Sequence, residues 1–177
     1  MPAPITYSVL TASYRSNSDD RAQVIDLEDR LVVIVADGAG GIVNGGAAAD
    51  VVLDLVNERA AELVDVEGCE ELLREADAKV LKTGGETTAV LIVIDDAGLY
   101  GASAGDSEAW LVRDDGTIDD LTAHQHLKRR LGSSRGAVPV GFERIGALQG
   151  VLVASCVAWP SRCAPGSGCV PSPPLRP

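Results

Sequence analysis

The chain has 177 residues, 26 of them acidic against 15 basic, for a formal net charge of -11. That length fits one domain, the 46% apolar share argues for a packed core, and the 3% aromatic share leaves that core to Val, Leu, Ile and Ala. So acidic a chain lacks the cationic face that nucleic acid or an anionic membrane demands.

In chain order, residues 5–10 and 22–27 read as strands, and 31–36 (LVVIVA) as a buried strand. A glycine-rich loop, 38–46, follows. A helix is expected over 47–64, with Ala48, Val52, Val56, Ala60 and Leu63 on one face. A second is expected over 69–82, where Cys69, Leu72, Leu73, Ala76 and Val80 keep helical spacing and Gly84-Gly85 closes it. The period then becomes two. Strands are expected at 87–94, 99–104, 108–113, 117–121 and 151–154, several joined by Asp/Gly turns. Connections that short make antiparallel neighbours, because a parallel pair needs a long crossover.

No apolar run approaches the ~20 residues of a spanning helix. The N-terminal MPAPITYSVL lacks the basic region of a signal peptide, so the cytoplasm is the expected location. Four cysteines are too few for a disulfide scaffold in a domain this long.

Three constellations carry possible chemistry. The first is Asp37-Gly38-Ala39-Gly40-Gly41, at the end of the buried strand. It reads poorly as a dinucleotide fingerprint, since Val43 stands where a third glycine is due. It is either a tight turn with a capping Asp, or a carboxylate whose glycine neighbours let carbonyls and waters crowd around a cation. The second is Arg15 with Asp19-Asp20, which alone reads equally as a solvated turn. The third is Gly105-Asp106-Ser107, which alone reads as a hairpin turn.

Taken together and in this order, RSNSDD (15–20), VADGAGG (35–41), GGETTAVLIVI (84–94), ASAGDSEAWLV (102–112) and Leu121-Thr122 resemble the metal-dependent protein phosphatases of type 2C, in their bacterial form. The resemblance covers residues 5–155. It implies an α+β fold, an antiparallel β-sandwich flanked by helices in four layers (αββα), here incomplete at its C-terminus. It implies two or three Mg or Mn ions, and a bridging water that attacks phosphoserine or phosphothreonine of a phosphoprotein substrate directly. By the same resemblance Asp37 bridges two ions with the Gly38 carbonyl as a ligand, Asp19 and Asp20 hold metal waters, Asp106 serves a further position, and Arg15 grips the phosphate.

The chain also departs from that pattern. Ala39 stands where many eukaryotic members have His, and Glu108 where Arg follows Gly-Asp-Ser. His124 and His126 are two residues apart, a conceivable metal pair or simply loop residues. The strand VLVAS (151–155) runs into Cys156-Val157, where the family carries a metal-ligating Asp followed by Gly. From that point composition changes abruptly. Residues 156–177 hold three of the four cysteines, six of the nine prolines, and no Asp, Glu or Lys. They read as a natural Pro-rich tail or as a shifted reading frame, and the break falls where the ligand is due. The expected layout is a partial phosphatase domain over 1–155 with a tail over 156–177 outside the fold. The expected behaviour is weak Mg or Mn binding, and either phosphatase activity or a catalytically inactive remnant or binding module.

Overall fold

The computed structural model describes residues 5–9, 18–39, 44–126, 128–146, 148 and 150–155. The strands are β1 (Asp20–Asp26), β2 (Arg30–Asp37), β3 (Ala89–Asp95), β4 (Gly98–Ala104), β5 (Glu108–Val112), β6 (Ile118–Asp120), β7 (Val140–Ile145) and β8 (Val151–Ser155). The helices are α1 (Gly45–Arg59) and α2 (Val66–Val80), each ending in a short 3-10 turn. One sheet has the order β1-β2-β3-β4-β7 and the other the order β6-β5-β8. Every pairing between strands is antiparallel.

Side-chain alternation explains the layers. Val32 and Ile34 of β2 and Leu91 and Val93 of β3 point to one face of the larger sheet. There they pack against Val52 and Val56 of α1 and Leu72, Leu73 and Ala76 of α2. Leu31, Val90, Ile92 and Ile94 point to the other face, against Ala109 and the inward positions Leu152 and Ala154 of the smaller sheet. The sheets β1 to β8 thus form a sandwich with α1 and α2 on one outer side. Among the described residues no helix covers the other outer side, where the family resemblance implies a second helical layer.

Local chemistry sets the helix ends. Asp65 accepts a 2.8 Å hydrogen bond from the Gly68 amide, so α2 begins three residues before its apolar period does. Asn44, in left-handed conformation (φ 69), precedes α1 and ties its amide to the Thr83 carbonyl at 2.9 Å. Gly84 (φ 71) closes the turn after α2.

One expectation fails and one strand was missed. Residues 5–9 form no strand, and Ile5, Tyr7 and Val9 are exposed, because no described strand pairs with them. Their alternation is real, but alternation without a partner makes no strand. The strand β7 has no expected counterpart, because Gly141 and the adjacent charged pair Glu143-Arg144 hide its single buried anchor, Phe142. No described helix is long and apolar enough to cross a membrane.

Candidate functional site

Asp20 opens β1 and Asp37 ends β2, and the register places them directly opposite each other. The Gly38 amide donates to the Asp19 carbonyl at 3.2 Å, so the next residue pair along is of the non-hydrogen-bonded kind, in which side chains stand closest. Both carboxyls therefore emerge on the face turned toward the smaller sheet, at one end of the sandwich. The two carboxyl groups face each other across the strand pair, which disfavours ionisation of Asp37. The Asp37 carboxyl is pushed up to about 7, first by burial, then by Asp20, then by the charge of Asp106, with Arg130 pulling the other way.

The hairpin bearing Asp106 is tied to the backbone behind Asp37. The Asp37 amide donates to Thr88 Oγ1 at 3.0 Å, and the Asp37 carbonyl accepts from the Thr88 amide at 2.9 Å. Thr88 Oγ1 is in turn hydrogen-bonded to Ser107 Oγ. Gln125 Nε2 donates to the Ser107 carbonyl at 2.9 Å, fixing the hairpin from its other side. Gly105 makes this approach possible. Its φ is +96, and a Cβ there would fall 2.8 Å from Thr88 Cγ2. Gly105→Ala is therefore expected to destabilise the chain by about 2 kcal/mol, read by chemical denaturation. A change under about 0.5 kcal/mol would show that the hairpin does not need that geometry.

Gly38 is equally constrained, by space rather than by φ. A Cβ on it would lie 2.4 Å from the Gly45 carbonyl oxygen and 2.8 Å from that of Asp19. The strand end is thus clamped between α1 and β1.

The structure sets Asp37 opposite Asp20 and brings Asp106 near enough for its charge to act on Asp37. Asp19, one residue from Asp20, takes the opposite face of β1. Its Oδ1 stands over the first turn of α1, 3.0 Å from where a Gly46 Cβ would be. Arg15 lies outside the described residues. His124 and His126 are exposed on either side of buried Gln125. No motif marks Arg130, whose guanidinium pairs with Asp106 at 3.1 Å. It is the last of a Lys128-Arg129-Arg130 run that reads as a solvated face.

Carboxylates and a glycine carbonyl are hard oxygen donors, the kind that Mg and Mn take, and a cation relieves the repulsion between two carboxyls that face each other. In this respect the residues fit such an ion. As placed, no three described Asp, Glu, His or Cys side chains close on one point, with Asp106 turned to Arg130.

The family model for protein phosphatase 2C matches residues 64–153. The chain belongs to the protein phosphatase 2C family. Solved structures of the family share its fold at low identity. A bacterial serine phosphatase variant is 22% identical, with a TM-score of 0.60 over 78% of this chain and 68% of that one. The serine/threonine phosphatase Stp1 from Staphylococcus aureus is 20% identical, with a TM-score of 0.59 over 76% and 68%. The catalytic domain of the serine/threonine phosphatase PstP, in complex with two manganese ions, is 18% identical, with a TM-score of 0.54 over 74% and 68%. No curated protein matches the chain. The family match takes in Gly105-Asp106-Ser107 but begins after Asp37, so the placing of Asp20 and Asp37 rests on the fold itself.

Proposed function

We propose that this chain hydrolyses phosphoserine and phosphothreonine in proteins, in a reaction that depends on Mg or Mn, at the sandwich end where Asp37 faces Asp20. The observation that carries this reading is that pairing: two carboxyls held opposite each other by strand register, with a third, Asp106, near enough to act on the first. Divalent ions held there would lower the pKa of water and offset the charge of the phosphate oxygens.

The chain's own residues have separate tasks in this reading. Asp37 is the central ligand, and a cation must displace the proton that it holds up to about pH 7. Gly38 offers its carbonyl. Asp20 would hold hydration water of such an ion, and Asp19 would do so only from the opposite side of the strand pair, over α1. Asp106 serves a further ion. Arg15 grips the phosphate with its forked donors.

A second reading has its own observation. β8 runs into Cys156-Val157 where the family carries Asp-Gly. A missing carboxylate removes both charge and ligand count, which favours weak metal binding and a binding module that hydrolyses nothing. Hydrolysis of p-nitrophenyl phosphate and of a phosphothreonine peptide, with and without MnCl2, separates the two. Turnover that needs manganese and vanishes in Asp37→Asn supports the enzyme. A folded chain without turnover selects the binding module.

In this assignment residues 1–155 carry the domain and 156–177 stand outside it, on their composition alone. Deleting 156–177 is then expected to leave the melting temperature within about 2 °C of the full chain's. A fall of about 10 °C, worth more than 1 kcal/mol in a domain of this size, would place the tail within the fold.

A further inference from the structure

We infer that Arg130 is an internal counter-cation that occupies the Asp106 carboxylate and thereby limits how many divalent ions the site takes and how tightly. The inference rests on the phosphatase reading of Asp20 and Asp37. Arg130 Nη2 lies 3.1 Å from Asp106 Oδ2 and 3.2 Å from Oδ1, and its Nε lies 3.3 Å from Oδ1. The guanidinium also lies close enough to act on the charges of Asp37 and Glu86. It stands against the Asp106 carboxylate, where the family resemblance puts a metal ion.

This position is built into the backbone. Leu131, the next residue, is fully buried. Its amide donates to the Thr87 carbonyl at 2.9 Å, and its carbonyl accepts from the Thr87 amide at 3.1 Å. The Gly132 amide donates to Asp77 of α2 at 2.7 Å. The chain after Arg130 is thus pinned beside Thr88, the residue that also holds Asp37. Its neighbours Lys128 and Arg129 have no bond to these carboxylates among the described contacts, and Arg129 turns to the Arg135 carbonyl at 2.6 Å.

The consequence is competition. A guanidinium already bonded to both oxygens of Asp106 covers the donors a metal would use. A fixed positive charge within a few ångströms also repels an incoming divalent ion. Removing it frees a carboxylate and removes that repulsion together.

The test is a titration of MnCl2 into the full chain by calorimetry, with free manganese counted by electron paramagnetic resonance. Arg130→Ala is expected to bind manganese about tenfold more tightly, or to take one more ion, because a lost unit charge a few ångströms from a divalent ion is worth about that much even in water-like surroundings. Arg130→Lys, which keeps the charge, is expected to stay near the unmodified chain. Adding Asp106→Asn to Arg130→Ala is expected to cancel the gain. If Arg130→Ala fails to fold by circular dichroism, Arg130→Gln takes its place, keeping size and donors without charge. Unchanged manganese binding in a folded variant, no binding in any variant, or a gain that survives Asp106→Asn would overturn the inference. Asp37→Asn tests the phosphatase reading separately: manganese binding by the unmodified chain that ignores this change defeats that reading, whatever Arg130 does.

Discussion

Asp37→Asn is expected to raise the melting temperature of the metal-free chain at pH 8 while abolishing its response to manganese. Burial and the facing Asp20 hold the Asp37 carboxyl at about 7, above its ordinary 3.8. The fold therefore favours the protonated form. Between about pH 4 and 7 the unfolded chain has lost this proton and the native chain keeps it, so native stability falls as pH rises through that window. Above it, the native chain carries the full cost of ionising Asp37. Asparagine removes that cost. The carboxyl is only half buried, so solvent screening reduces the gain to about 1–2 kcal/mol, or a few degrees in melting temperature. The same change deletes the central ligand, so the stabilisation that bound manganese gives to the native state should vanish. Thermal scans at pH 5 and pH 8, in chelator and in MnCl2, read all of this at once. A lower melting temperature for Asp37→Asn at pH 8 in chelator would mean that the facing carboxyls are not a source of strain.

The second large effect is expected on α2. Asp77, on α2, accepts the Gly132 amide at 2.7 Å and the Ala137 amide at 3.1 Å. One helix side chain thus holds the 131–137 loop, and through Leu131 and Thr87 it supports the position of Arg130. Asp77→Ala leaves two amides without their charged acceptor, at a cost of about 3 kcal/mol. Denaturation is expected to show that loss, and hydrogen exchange at Leu131 and Gly132 is expected to accelerate. Stability within about 0.5 kcal/mol of the original would show that the loop is held by other contacts.

Much of the architecture was legible because it depends on short-range pattern. The α2 stripe Cys69, Leu72, Leu73, Ala76, Val80 is buried throughout. The turn 95–98 joins β3 to β4 in the expected antiparallel pair. Asp37 and Asp106 were legible because glycines beside them constrain the backbone: Gly38 cannot carry a Cβ against Gly45, nor Gly105 against Thr88. What escaped depends on pairing at long range. The alternation at 5–9 is the same whether or not a partner strand exists. The single anchor Phe142 makes an edge strand that no period reveals. Lys128, Arg129 and Arg130 look alike in sequence, and only the pinning of Leu131 against Thr87 decides which of them reaches Asp106. Likewise Asp19 and Asp20 look interchangeable until strand alternation sends one toward α1 and the other toward Asp37.

The phosphatase reading makes the Asp20–Asp37 pair a metal centre. Anomalous diffraction at the manganese edge, from crystals grown with MnCl2, tests it most directly. The expected result is a manganese peak about 2–2.6 Å from carboxylate oxygens of Asp37, with Asp20 facing the same ion or its hydration shell. Crystals of the folded chain in millimolar manganese that show no peak at Asp37, or a peak only elsewhere on the acidic surface, would contradict it.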